Sequence, residues 1–337
     1  MQQKPVLSIV IPAYNCAKYI ARCLDSLKTV KQIEIIAVDD GSTDETLNIL
    51  KEYERQMGAL RVFHKENGGV SSARNYGIKQ CTGQYMAFID GDDSVDSEKL
   101  NHVVYEIKAQ NKNLYLVPIM RGDEKDHFFT ESYAKKLNNA KRPDEKELYK
   151  AVIQGRFNEI ATKIFKTDIV LKNHIELDES MFMGEDIMFF IDYLIALSQV
   201  DWAYLDIAYY YYYRNNSSVS SNIRKGFMRQ EQRKFRHVKK LIEYKNLDAE
   251  YSVCNNSFYL HKLIYFVSEM RRNGVNANDI CNEISENSID SDVADMNLYS
   301  FGDKFRRFLF LSKNIKAMQL FVWCITFYRS KVDKKRK

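Results

Sequence analysis

Over its first ninety residues the chain alternates between unbroken apolar runs and segments whose apolar side chains recur every three or four positions. Residues 6–11 form a β-branched run that stops at Pro12 and predicts a buried strand. In residues 16–27, Ile20, Leu24 and Leu27 stand at helical spacing. Residues 33–38 predict a second strand, halted by Asp39, Asp40 and Gly41, after which Ser42 or Thr43 can cap a helix through residue 57. A third strand is expected over 60–64, a third helix over 71–79 and a fourth strand over 85–89. Strands and helices in this rhythm imply a mainly parallel sheet covered by helices on both faces, an α/β architecture that binds ligands at the carboxyl ends of its strands. The polar clusters fall at those ends: Tyr14 and Asn15, Asp39 and Asp40, residues 67–69, and residues 90–93.

The pattern loosens beyond Asp93. It predicts a helix around 103–107, a strand over 114–119, a polar and mobile stretch over 121–147, a buried helix over 187–197 and an aromatic strand over 203–213. From about residue 220 glycine and proline almost vanish and helical periodicity takes over. A boundary near 218–222 divides a domain over 1–219 from an all-helical extension over 220–337.

Composition narrows the class. The 337 residues are 45% apolar, 28% charged and 13% aromatic, which excludes a disordered or fibrous chain. A net charge of +5 is too weak to argue for nucleic acid, and none is expected as a partner. The charge is uneven, however: residues 301–337 hold eleven basic and two acidic residues, leaving −4 on the rest. Six scattered cysteines and a polar start read as reduced thiols in a cytoplasmic protein. The longest apolar run, 317–328, is about a dozen residues, short of the ~20 a spanning helix needs. Apolar positions from Phe305 to Ile325, interleaved with Arg306, Arg307, Lys313 and Lys316, suit peripheral contact with the inner face of an anionic membrane. They suit equally a helix packed on its own domain or against a second subunit.

The densest chemistry is Phe-Ile-Asp-Gly-Asp-Asp at 88–93, a strand ending in three carboxylates within four residues. Such crowding is unfavourable without a cation, and oxygen ligands select Mg²⁺ or Mn²⁺, which could bridge to a diphosphate. The plainer alternative is an acidic turn capping the next helix, and on the residues alone the two weigh evenly. Gly-Gly-Val-Ser-Ser-Ala-Arg-Asn at 68–75 feeds a helix N-terminus that favours anions, with Arg74 adding a donor fork.

Taken together these segments resemble the inverting family 2 glycosyltransferases, nucleotide-sugar enzymes of the GT-A fold. The matching stretches are Ser-Ile-Val-Ile-Pro-Ala-Tyr-Asn at 8–15, Val-Asp-Asp-Gly-Ser-Thr-Asp at 38–44 and Asn-Gly-Gly-Val-Ser-Ser-Ala-Arg-Asn at 67–75. Ile-Asp-Gly-Asp-Asp at 89–93 and Gly-Glu-Asp at 184–186 complete the series, in order, across about residues 5–220. The helical extension lies outside the resemblance. It implies a nucleotide-sugar part over about 1–120 and an acceptor part over 121–219. Pro12, Tyr14 and Asp40 are implied to hold uracil and ribose, and Asn67 and Arg74 the base or pyrophosphate. Asp90 and Asp92 correspond to the family's Asp-x-Asp, with Asp92 the metal ligand and Asp90 nearer the ribose. Asp186 matches the general base, and Glu185 a binder of donor-sugar or acceptor hydroxyls. Arg214, Ser217 and Ser218 resemble a segment closing over the diphosphate. The implied reaction is a metal-assisted single displacement from a UDP-sugar to a saccharide, lipid-linked oligosaccharide or cell-surface polymer. A sugar-nucleotide-forming nucleotidyltransferase would instead carry a Gly-rich basic loop where Pro-Ala-Tyr-Asn stands at 12–15. A non-catalytic nucleotide-sugar-binding module would bind UDP without turnover.

Overall fold

The computed structural model describes residues 4–122, 129–131, 144–213 and 226–334, with side chains described to residue 325 and not for 129–131. It divides into two compact units, one of residues 1–181 with 185–217 and one of 182–184 with 218–337.

The first unit is built on a seven-stranded sheet. In chain order it holds β1 (Leu7–Ala13), α1 (Ala17–Asp25), β2 (Ile33–Asp39), α2 (Thr46–Gln56), β3 (Leu60–His64), α3 (Val70–Gln80) and β4 (Tyr85–Phe88). Next come β5 (Ser94–Val95), α4 (Ser97–Gln110), β6 (Leu114–Leu116), β7 (Ile119–Gly122) and β8 (Phe129–Glu131). The unit continues with α5 (Glu145–Ile153), β9 (Lys163–Lys166), α6 (Thr167–Lys172), α7 (Glu185–Ala196), β10 (Trp202–Tyr204) and β11 (Tyr210–Tyr213). The sheet runs β10-β6-β9-β4-β1-β2-β3; β5, β11, β7 and β8 form a second, four-stranded sheet. β1 lies parallel to β2 and β4, β2 to β3, and β6 to β10. β9 alone is antiparallel, wedged between β4 and β6. All seven residues of β1 are buried, as expected for a strand covered on both faces. Helix α3 approaches it closely at Gly77, where a Cβ would stand 2.5 Å from Val10 Cγ1.

Local breaks account for the departures from the sequence pattern. Pro12 sits inside β1, paired with Val38, because β4 stops pairing at Val10 and so demands no N–H from it. The expected strand over 114–119 splits at Pro118 into β6 and β7, which join different sheets. The expected strand over 203–213 likewise splits, because the backbone turns at 205–207, where the Ile207 N–H donates to the Leu205 carbonyl. Helix α2 starts at Thr46, so neither Ser42 nor Thr43 caps it; the Asp44 carboxylate accepts from the Thr46 N–H at 3.0 Å. Of the stretch expected to be mobile, 121–147, residues 123–128 and 132–143 lie outside the described residues; the rest holds the end of β7, all of β8 and the start of α5, whose N-cap is Asp144.

The second unit is helical: α8 (Phe227–Tyr244), α9 (Ala249–Arg272), α10 (Ala277–Glu286), α11 (Ile289–Ala294), α12 (Phe301–Leu311) and α13 (Ile315–Lys334). Its core gathers Phe227, Phe235, Leu260, Leu263, Ile280 and Phe310, and Phe235 stacks on Tyr259 with centroids 4.2 Å apart. The buried Glu283 of α10 accepts from the N–H groups of Gly226 and Arg229, supplying the cap that the sequence of α8 lacks. The periodic stretch over 305–328 breaks into two helices at Lys313, whose φ is +52°. Phe301, Phe305, Phe308 and Leu311 line an exposed stripe of α12. Among the described residues no helix is long and apolar enough to cross a membrane.

Candidate active site

At the β1 and β2 ends, two loops are tied by uncharged and singly charged groups. Asn15, at φ +46°, accepts on Oδ1 from the Thr43 N–H at 2.8 Å, and its own N–H donates to Ser42 Oγ at 3.0 Å. The Ala17 N–H donates to Asp44 Oδ2 at 3.1 Å, and the Cys16 N–H to Thr46 Oγ1 at 2.9 Å. Gly41 is obligatory here: its φ is +73°, and a Cβ would lie 2.8 Å from the Asn67 nitrogen. Asp39 is fully buried and bonds His64 Nδ1 at 2.7 Å. Asp40, also buried, accepts from Lys65 Nζ at 2.7 Å and from the N–H groups of Gly68 and Gly69. It thereby shapes the turn that launches α3. Pro12 is buried in β1, whereas Tyr14 and Asn67 are exposed.

The turn after β4 concentrates charge. Asp93 is buried and accepts from Tyr210 Oη at 2.5 Å and from the Tyr213 N–H at 2.9 Å. Burial, with the charges of Asp90 and Asp92 added, pushes its carboxyl up to about 8. Tyr210 Oη also accepts the Asp90 N–H, and Arg22 donates to the Asp92 carbonyl while lying 3.6 Å over the Tyr213 ring. Strand β11 therefore clamps this turn. The crowding that argued for a cation is relieved in part by protein groups, on Asp93 by these donors and on Asp90 by Arg74.

Arg74, 4% exposed on α3, is where separate elements meet. Its Nη2 donates to Asp90 Oδ1 at 2.7 Å and its Nη1 to Asp186 Oδ1 at 2.9 Å, with Glu185 Oε1 at 3.8 Å. Burial opposes its charge, but Asp90 and Asp186 outweigh that and raise its pKa. Its Nε is buried without a partner. Glu185 and Asp186 open α7, where the helix terminus favours negative charge. Burial raises both carboxyls; Arg74 opposes this in each case, and for Asp186 so does the Ile160 N–H, which donates to its Oδ2 at 3.0 Å. The result is a carboxylate gripped on both oxygens yet more basic than an exposed one.

Of the residues singled out from sequence, Arg74, Asp90, Glu185 and Asp186 thus lie together, with Asp92 at the adjoining turn. Asp40 acts one loop away, with Asn67 in that loop. Arg214, Ser217 and Ser218 lie outside the described residues, as do the side chains of the basic tail beyond Ile325. Among the described residues, no group of three or more His, Cys, Asp or Glu side chains is arranged to hold a metal ion. Sequence reasoning assigned no role to Arg22, Tyr210 or the Ile160 N–H, and read Asp93 only as one of three crowded carboxylates. Tyr210 lies in the aromatic strand expected over 203–213, but its pairing partner has no local signal; a backbone donor such as Ile160 leaves no trace in sequence.

This sheet with its helices and carboxyl-edge site is the GT-A type of glycosyltransferase fold, as comparison with solved structures shows. TarS of S. aureus, residues 1–349 in complex with UDP, matches with a TM-score of 0.56 and 25% identity, covering 80% of this chain and 73% of that one. A second TarS structure, in complex with UDP-GlcNAc, shares the fold at 20% identity, a TM-score of 0.57 and coverage of 83% and 88%. Residues 8–168 match the family described as Glycosyl transferase family 2. An uncharacterized glycosyltransferase, EpsJ of Bacillus subtilis (strain 168), is 41% identical over 112 residues, 33% of each chain. The chondroitin synthase of Escherichia coli is 37% identical over 110 residues, 32% of this chain and 16% of that one. The matched segment thus spans a third or less of these two relatives.

Proposed function

We propose that the chain is an inverting glycosyltransferase that takes a hexosyl or N-acetylhexosaminyl group from a UDP-sugar. The acceptor is a hydroxyl of a saccharide, a lipid-linked oligosaccharide or a cell-surface polymer. The Arg74 cluster carries this reading: it joins a strand-end carboxylate, Asp90, to a partly buried and more basic one, Asp186, at the ligand edge of the sheet. The UDP bound by TarS, a relative in fold at 25% identity, supports the choice of nucleotide.

Asp186 serves as the base. Its raised pKa, caused first by burial, strengthens it as a proton acceptor, while Arg74 and the Ile160 N–H fix its plane. A carboxylate offers about four lone-pair directions, so these two donors leave room for an acceptor hydroxyl. Attack from the face opposite the leaving group inverts the anomeric centre in one displacement. Glu185, beside the base, is placed for sugar hydroxyls, and the exposed Tyr14 for the uracil ring. The oxygen donors at residues 90–93 fit a hard divalent cation, Mg²⁺ or Mn²⁺, which takes one or two protein carboxylates plus phosphate oxygens. Asp92 would hold it, since Asp93 is turned into protein and Asp90 is held by Arg74. When bound, such an ion offsets the charge growing on the leaving diphosphate.

The test is Asp186→Asn, assayed with Mn²⁺ against a panel of UDP-sugars. Turnover should fall about 10²- to 10⁴-fold while calorimetric UDP affinity holds. Near-normal turnover would overturn the assignment of the base.

A further inference from the structure

Lys163, the first residue of β9, is fully buried, and its ammonium makes no ion pair among the described residues. A buried ammonium without a carboxylate partner is costly, and a methionine would pack well against the Phe190 ring that lies 4.7 Å from it. Its polar contacts are two: Nζ donates to the Glu159 carbonyl at 2.6 Å and to Thr162 Oγ1 at 3.2 Å. The Glu159 side chain is engaged elsewhere, on Arg121 at 2.5 Å. The carbonyl that Lys163 grips belongs to the same peptide group as the Ile160 N–H, and that N–H donates to Asp186 Oδ2 at 3.0 Å. A cation at one end of a peptide dipole and a carboxylate at the other polarise it in the same sense, which strengthens both bonds.

We propose that Lys163 is a positioning residue for the base: through the Glu159–Ile160 peptide, its charge holds Asp186 ionised and fixed in orientation. This rests on the reading of Asp186 as base. The other groups facing Asp186 are Arg74, Glu185 and Asp90; those facing Lys163 are Glu159, Thr162 and Asp186 itself. Burial lowers the Lys163 pKa to about 8, so the ammonium persists at neutral pH and is lost just above it.

The measurement is a pH titration of the Ile160 amide resonance in the full chain, labelled with ¹⁵N-isoleucine and assigned by its loss in Ile160→Val. The resonance should move twice, once as Asp186 ionises and again near pH 8 as Lys163 loses its proton. In Lys163→Met the upper step should vanish and the lower midpoint rise by about half to one pH unit, the range of a neighbouring charge acting indirectly. With a UDP-sugar turned over by the parent, the acid limb of kcat should rise equally while donor KM holds. An Ile160 amide indifferent near pH 8, or a lower midpoint unmoved in Lys163→Met, overturns the relay while leaving the base reading intact. If Asp186→Asn turns over normally, the base reading fails and the relay loses its catalytic meaning. Should Lys163→Met not fold, Lys163→Arg decides: it keeps the charge but does not titrate, so the step near pH 8 should vanish while the lower midpoint holds, and a step that persists overturns the relay.

Discussion

Two stretches of one carboxyl edge are secured by different means. Where β1 and β2 finish, the loops are stitched by backbone N–H groups donating to side chains 27 to 30 positions away: Asn15 to Ser42, Thr43 to Asn15, Ala17 to Asp44, Cys16 to Thr46. Where β4 finishes, the turn is held by charge and by partners far off in sequence. Arg74 reaches Asp186 across 112 positions, and Tyr210 reaches Asp93 across 117. Single bonds of that kind, most of them exposed, are each worth little, whereas charges that satisfy one another around a buried guanidinium fail together.

Substitutions should separate the two stretches by size of effect. Arg74→Met leaves Asp90, Glu185 and Asp186 uncompensated and should cost about 3–5 kcal/mol in denaturant unfolding. Because the unpaired, partly buried carboxyls would then bind protons more tightly when folded than unfolded, the deficit should shrink as pH falls from 7 toward 5. A loss independent of pH would mean that Arg74 acts by packing alone. Tyr210→Phe removes a donor from the buried Asp93 and an acceptor from the Asp90 N–H, for about 1–3 kcal/mol by the same measurement. In the β1–β2 stretch, Asn15→Ala gives up the Thr43 bonds and places alanine at φ +46°, for about 1 kcal/mol. If Asn15→Ala cost as much as Arg74→Met, the contrast would dissolve.

The same division governed what could be read from sequence. β1 to β4 were legible because a strand buried on both faces is a continuous apolar run, and the intervening helices carry their own period. The antiparallel β9 was not, since four residues give no period and its partners lie about fifty and eighty positions away. Asp90, Asp92 and Asp186 stood out as motif members, but the guanidinium that joins two of them was assigned to the base or pyrophosphate of a ligand rather than to these carboxylates. The crowding at 90–93 suggested a cation because the protein donors that share the load, Tyr210 and the Tyr213 N–H, belong to a strand whose register no local pattern reveals.

Asp40 carries a consequence of another kind. Its carboxylate is already spent on Lys65 and on the amides of Gly68 and Gly69, the last residues before the helix that bears Arg74. Under the function proposed above, a ribose that took up those oxygens would have to compete with the amides that set the start of that helix. A donor lacking its nucleoside would leave those bonds untouched.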